Sequence, residues 1–496
     1  MAEISGYEGL TADNIRVERI HTDVVTTGRF ESSNEFLNKI QAAYVNSQLS
    51  NLIAVPLDCP HREKAPWLGD AHVTSEAVMY NYDAATLYTR WFRDWQSAQE
   101  ENGFINLQSP DPQNLTGSST AYAGGDVVWT AALMVIPWDV YQFTGDLGVL
   151  RENYDMIKRH AEWLMAHEPA RNMGATMHWD WVGPDKNNMS AQCVGTAYYY
   201  HAMDLTTKIA TALGENEDAA VFAKKAEAIY KTFNRTFFKG TYYDTNTETV
   251  NAIALAFGLV PEDKAETVLE SLENVILVDK EGHMSVGVAG VRALPAALTQ
   301  YGRPDLTYLM MTQTTYPGLG FMIESGATSL WEYWEHPDWE GVGQGGTNGR
   351  MWRSQNHCFL GGGFSTWLYA DILGITAAEA GYDVISVKPQ IPGDLTYVKG
   401  SMETIHGTIA VDWAVDENGN LTLKVSVPAN TVADMYVPIR GESGNVTITE
   451  GGDVWFDSGE AKTDTYTETT DTHVAFRLGS GEYTFTMTGE GAYPFA

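Results

Sequence analysis

The chain has 496 residues, 44% of them hydrophobic and 19% charged, which excludes a disordered chain and leaves room for a large core and more than one domain. Its formal net charge of −33 repels nucleic acid and anionic membrane surfaces. The same charge disfavours a highly anionic polymer as direct substrate unless a local basic patch exists.

Residues 1–30 read as a short linker or the remnant of an upstream β domain. Ile15 to Ile20 and Thr22 to Thr27 alternate like short strands, and Gly28 ends them. Met1 to Leu10 lack the basic and apolar regions of a signal peptide. No run of about 18 apolar residues predicts a membrane span. These features predict a cytoplasmic chain, although one trimmed of an export signal would look the same. From Ser32 the period turns helical, with Ser33 as the expected cap and Phe36, Leu37, Ile40, Ala43 and Tyr44 on one face. A polar segment interrupted by Pro and Gly, Leu57 to Ala71, is followed by a helical stretch to Ala98. Gly103 to Asp126 reads as a long loop. Helical patterning resumes at Trp129 and ends at Gly145; Asp146 opens the next helix, with Leu150, Tyr154, Ile157, Ala161 and Leu164 at helical spacing. A loop from Asn172 to Met189 contains His178-Trp179-Asp180-Trp181. Helices are expected at Ala197 to Leu213, Asn216 to Phe238, Val250 to Leu259 and Glu262 to Val275. No convincing tandem repeat is present. Paired helices over residues 31–380 fit a toroid or a solenoid. Near Tyr382 the period changes to two, and residues 381–496 are expected to form an antiparallel β-sandwich.

The segment Leu57 to Ala71 gathers Asp58, Arg62, Glu63, Trp67 and Asp70. Two readings fit these residue types. One is a surface loop tied by ion pairs around Arg62. The other is a sugar cleft, where carboxylates take hydroxyls or move protons and a ring covers the apolar face of a pyranose. Cys59, Cys193 and Cys358 have no paired spacing, so neither a disulfide framework nor a zinc motif is expected.

Asp58-Cys-Pro-His-Arg-Glu-Lys followed by Trp67-Leu-Gly-Asp70 resembles the signature of bacterial α-L-rhamnosidases of glycoside hydrolase family 78. The resemblance implies Glu63 as catalytic acid, with Asp58, Arg62, Trp67 and Asp70 lining the sugar pocket. Many members carry Leu-Gly where this chain has Ala65-Pro66. Pro66 has no donor and a fixed φ, so a shifted loop backbone is expected there. Downstream, Gly326-Ala-Thr-Ser-Leu-Trp-Glu332 resembles the family segment that carries the catalytic base, which assigns that role to Glu332. Glu324 and Glu335 flank it, and a swap of roles stays open in the sequence. Trp129, Trp181 and the histidine of Ser354-Gln-Asn-His357 match further pocket positions, and Trp334 beside the proposed base is placed with them. Taken alone, residues like Trp129 and Trp181 are more often core rings, and one like His357 is more often a satisfied structural histidine.

The resemblance covers roughly residues 20 to 480. It implies a mainly α fold, an (α/α)6 toroid followed by the β-sandwich, and an inverting hydrolase that removes terminal α-L-rhamnose from small or oligosaccharide rhamnosides. No metal or cofactor is implied, and no nucleic-acid or membrane partner. No oligomeric state is legible. The rival readings are another inverting (α/α)6 glycosidase, a glycoside phosphorylase and a sugar-binding protein without turnover. Phosphorolysis would need a basic anion site and no catalytic base, so Glu332 argues against it.

Overall fold

The computed structural model describes residues 5–6, 9–111, 125–337, 353–440 and 442–489. The middle of the expected long loop from Gly103 to Asp126, both chain ends and residues 338–352 lie outside the described residues.

The helices in chain order are α1 (Glu35–Ser50), α2 (Leu68–Asn81), α3 (Ala85–Ala98), α4 (Val127–Thr130), α5 (Ala132–Thr144), α6 (Leu147–Ala166) and α7 (Ala191–Leu213). They continue with α8 (Asn216–Phe237), α9 (Glu248–Ala256), α10 (Ala265–Asn274), α11 (Ala293–Gln300), α12 (Pro304–Met311), α13 (Leu319–Glu324) and α14 (Gly362–Trp367). Packing decides between toroid and solenoid. α2 touches α5, α5 touches α7, α7 touches α9, α9 touches α11, α11 touches α14, and α14 returns to α2. The inner ring is closed, and α1, α3, α6, α8, α10 and α12 surround it.

Composition follows this division. Every residue of α2 except Glu76 is buried, as expected for a helix covered on all sides. The outer α3 buries a single stripe of Leu87, Tyr88, Trp91, Phe92 and Trp95, the spacing that puts side chains on one helical face. Some helix ends differ from the sequence reading. Asn34, rather than Ser33, caps α1, its side chain accepting from the Phe36 and Leu37 amides. Asp146 caps α6 as expected, through the Gly148 amide at 2.7 Å. No described helix is long and apolar enough to cross a membrane.

The C-terminal part holds two packed sheets. The first strand, Ile375–Ala377, begins before the change of period near Tyr382. One five-stranded sheet contains a parallel pair, Val432–Pro438 against Val384–Val387, so the arrangement is not antiparallel throughout. The other sheet has eight strands, and Arg29–Ser32 from the start of the chain forms its edge beside Tyr397–Thr404. That segment is therefore part of the C-terminal sheet, while Ile15 to Ile20 forms no strand. The β part docks at the C-terminal end of α2, where the Tyr80 hydroxyl donates to Ile375 O at 2.8 Å. The N-terminal end of α2, about 20 Å away for 14 residues at 1.5 Å each, carries Leu68, Gly69 and Asp70.

Candidate active site

The loop before α2 closes on itself. Asp58 N–H donates to Ala65 O at 3.0 Å, and Ala65 N–H donates back to Asp58 Oδ1 at 2.8 Å. Lys64 takes the left-handed turn, φ 55°. Ser109 N–H donates to Pro66 O at 3.2 Å and Leu68 N–H to Leu107 O at 2.9 Å, fixing the entry to α2. The missing N–H of Pro66 falls where the loop uses only its carbonyl, so Ala65-Pro66 sits in an intact, bonded loop. The Cys59 thiol donates to Asp58 Oδ2 at 2.9 Å. Burial, with the Asp70 charge added, pushes the Asp58 carboxyl up to about 6.

Glu63 reaches out from this loop into a cavity of about 200 Å³, suited to one monosaccharide. Trp67 Nε1 donates to Glu63 Oε2 at 2.8 Å, and Arg62 pairs with Glu63 Oε1. The same Arg62 nitrogen lies 3.1 Å from Glu332 Oε2, so one guanidinium spans the gap between the two glutamates. Glu332 is 3% exposed and sits in irregular chain rather than on a helix end. Its N–H donates to Ser354 O at 3.0 Å, and its Oε2 accepts from Ser354 N–H at 3.0 Å. This two-way bond aims the carboxylate into the cavity. Glu335 instead pairs with Arg353 at 3.1 Å, and neither it nor the exposed Glu324 lines the cavity. Of the three, only Glu332 faces Glu63.

Asp70, in the first turn of α2, accepts from His357 Nε2 at 2.8 Å. Burial pulls the His357 imidazole down, but the bonds to Asp70 and Cys59 and the charges of Asp70 and Glu332 outweigh it and hold the ring well above its ordinary value. Asp58, Cys59 and His357 are the one group among the described residues whose donor atoms could hold a metal, lying within 4.8 Å of one another. Both Asp58 oxygens and His357 Nε2 are already bonded within the protein. The group reads as a hydrogen-bonded floor to the cavity.

The remaining wall is aromatic. Trp67, Trp129, Trp181 and His178 line it. The His178 ring lies 4.7 Å from Trp129, 5.8 Å from Trp181 and 6.0 Å from Trp67 between centroids. Gly69 is needed for this wall, because a Cβ there would meet the Trp129 ring at 2.4 Å. Trp334 is not part of the wall. It is fully buried and its Nε1 donates to Val286 O at 2.8 Å, which corrects the expectation that it contacts substrate: its length and polar tip are satisfied in the core.

The family model described as bacterial α-L-rhamnosidase 6 hairpin glycosidase domain matches residues 25–372. The chain belongs to that family. The model for the bacterial α-L-rhamnosidase C-terminal domain matches residues 374–451 of this six-hairpin chain. An α-L-rhamnosidase of Formosa agariphila is 34% identical over 425 residues, covering 83% of the chain and 44% of the relative. The structure of α-L-rhamnosidase from Dictyoglumus thermophilum superposes with a TM-score of 0.85 at 33% identity, covering 94% of this chain and 51% of that one. The α-L-rhamnosidase of Streptomyces avermitilis, solved with L-rhamnose, gives 0.82 at 28% identity, covering 94% and 42%. The chain thus spans about half the length of the relatives it matches.

His178, which lines this cavity, and two buried carboxylates behind it, Asp126 and Asp180, escape the sequence reading. Asp126, fully buried, accepts from Val128 N–H at 3.0 Å to cap α4, from Met177 N–H at 2.9 Å and from His178 N–H at 3.0 Å. It ties the loop bearing His178 to the helix bearing Trp129. Asp180 does the same one step further on. It accepts from Thr249 Oγ1 at 2.7 Å and from the amides of Gly287 and Ala289, each at 3.0 Å. Burial still pushes its carboxyl up to about 6. This clamp holds Val182 at φ 60°, a strained position for a β-branched residue, and sets Trp181 on the wall. The run His178 to Trp181 was visible in the sequence; which of its four side chains turn inward depends on Asp126 and Asp180.

Proposed function

We propose that this cavity hydrolyses terminal, non-reducing α-L-rhamnosyl bonds with inversion. The observation that carries the reading is the pair Glu63 and Glu332, from loops far apart in the chain (Arg62, beside Glu63, is 270 residues from Glu332), brought to one monosaccharide-sized cavity and linked by Arg62. Glu63, at the open side, gives its proton to the leaving oxygen as the C1–O bond breaks. Glu332 takes a proton from water as the oxygen of that water bonds to C1 from the other face. Inverting pairs work at a carboxyl separation of about 6.5–9.5 Å, which leaves room for the water. Arg62 steers both carboxylates. Asp58, Asp70 and His357 take the ring hydroxyls from the floor. Trp67, Trp129 and Trp181 cover the apolar face and the 6-deoxy methyl, and ring faces set against that methyl disfavour sugars with a 6-hydroxyl. Membership of the rhamnosidase family and the L-rhamnose bound by the Streptomyces avermitilis relative support the choice of sugar.

The test is nitrophenol release from 4-nitrophenyl α-L-rhamnopyranoside beside the α-L-arabinoside, α-L-fucoside and β-D-glucoside, with NMR of the first sugar formed. Release from the rhamnoside with the β-anomer appearing first is the expected result. Release only from another glycoside overturns the sugar assignment, and the α-anomer appearing first overturns inversion.

A further inference from the structure

Behind the aromatic wall runs a short stretch of chain, Ser285 to Ala289, that is bonded along its whole length. Ser285 N–H donates to Glu248 Oε2 at 2.7 Å. Val286 O accepts the Trp334 indole N–H at 2.8 Å. Gly287 N–H donates to Asp180 Oδ1 at 3.0 Å, and Val288 N–H to Trp181 O at 3.0 Å. Ala289 N–H returns to Asp180 Oδ1 at 3.0 Å. Gly287 lies so near the wall that a Cβ there would meet Trp181 O at 2.2 Å. This stretch therefore sets where Trp181, a lining residue of the cavity, can stand. Glu248 fixes one end of it.

Glu248 is in the first turn of α9 and is fully buried. Its other oxygen, Oε1, has no hydrogen-bond partner among the described residues. The charges that act on the group are Lys280, after α10, and Asp185 and Asp180 in the loop before α7. Lys280 is already held by Asp185 at 2.5 Å, and Asp185 also accepts from the Ser285 hydroxyl at 2.7 Å. A buried carboxylate with one oxygen unmet is costly, whereas the neutral acid is not. Burial pushes the Glu248 carboxyl up to about 8, against the Ser285 amide bond and the Lys280 charge, and the charges of Asp185 and Asp180 add to the rise. At neutral pH Oε2 therefore accepts from Ser285 and Oε1 is free to carry the proton.

We infer that Glu248 is a positioning residue for the sugar: as the neutral acid it seats the stretch from Ser285 to Ala289, and through it Trp181, and its ionisation unseats them. Ionised, it becomes a third carboxylate beside Asp185 and Asp180 in a dry setting. The strain is relieved by movement at Ser285, the residue bonded to both Glu248 and Asp185. The inference rests on the rhamnosidase reading only for the sugar that the wall holds.

The experiment follows the tryptophan emission of the whole chain from pH 6 to pH 9, alone and during titration with L-rhamnose. The native emission is expected to change with a midpoint near pH 8. Affinity for rhamnose is expected to fall about fivefold or more over the same transition, the usual size of a coupling between two sites. Glu248→Gln keeps an oxygen for the Ser285 amide and cannot ionise, so both changes should vanish. A native chain without the emission change, a change that Glu248→Gln leaves in place, or a rhamnose affinity that does not follow it each overturns the inference. Asp185→Asn removes a neighbouring negative charge and should move the midpoint to lower pH. An unmoved midpoint there also overturns the inference, and does so even if Glu248→Gln fails to fold. If the native chain takes up no rhamnose at pH 6–7, the rhamnosidase reading falls, and the emission change still decides the role of Glu248 at the wall.

Discussion

Two arginine–carboxylate clusters lie toward opposite ends of α2, and they contrast in completeness. Beyond its middle, Arg292 donates twice to Asp139, each time at 2.9 Å, and once to His72 O at 3.0 Å, and it pairs with Glu76 at 2.9 Å. The fork is filled in a bidentate clasp. It joins the start of α11 to α2 and α5, three neighbours in the inner ring. At the N-terminal end, Arg62 divides one nitrogen between Glu63 and Glu332, and its buried Nε has no hydrogen-bond partner among the described residues. The same residue types thus do two jobs. A satisfied cluster holds helices together. A partly satisfied one, facing a cavity, keeps groups available for chemistry.

Four sets of changes, five substitutions in all, test this contrast, taken from the largest expected effect. Glu63→Gln and Glu332→Gln each remove a proton-transfer group while keeping its volume, so kcat falls by about 10²–10⁴ with the melting temperature nearly unchanged. Turnover by either variant at the native rate would remove that residue from the mechanism. Arg292→Met leaves Asp139 and Glu76 without their counter-charge, and stability falls by about 3 kcal/mol in urea unfolding. The folded fraction should retain native kcat; a kcat loss matching that of the glutamate variants would show that the two ends are not independent.

The third change concerns Asp58. Its carboxyl is pushed up to about 6 in the folded chain, from an ordinary value of 3.8. Between those values the folded state holds more protons than the unfolded one, so the contribution of this group to stability falls as pH rises through the window. Asp58→Asn keeps an oxygen for the Ala65 amide and removes the titration. Relative to the native chain, its stability should improve from pH 4 to pH 7, by on the order of 2 kcal/mol at most, while turnover drops. Calorimetry at the two pH values reads the sign directly. The smallest effect is expected from Gly69→Ala, which places a methyl 2.4 Å from the Trp129 ring. Displacing that ring costs about 1–2 kcal/mol and should raise KM several-fold more than it lowers kcat. An unchanged KM would mean that Trp129 does not cover the sugar.

Much of the site was legible because its residues are concentrated in short, unusual runs. Asp58 to Asp70 combines carboxylates, an arginine and a ring in a loop, and no helix or strand pattern competes with it. The family resemblance singled out Glu332, but its residue type left a swap with Glu324 or Glu335 open. Glu324 and Glu335 carry the same chemistry, and the choice is made by the Ser354 backbone, which grips Glu332 at both ends. Trp334 misled for the mirror reason: an aromatic beside the proposed base is as good a core residue as a pocket one, and Val286 O takes its N–H inside the core. His178 was passed over because its orientation depends on Asp126, which is 52 residues away in the chain.

The sequence alone determined the helical rhythm, the later change to period two and the chemistry carried by the signature loop. Those properties depend on neighbours within about a dozen residues, through helical and strand periodicity and turn-forming Gly and Pro. Only the tertiary structure decided that six inner helices close into a ring, that Arg29–Ser32 belongs to the C-terminal sheet, and that Glu63 meets Glu332 across Arg62. Each of these joins segments tens to hundreds of residues apart. Such contacts follow from how buried faces and unsatisfied polar groups find partners in the packed chain, which local spacing does not encode.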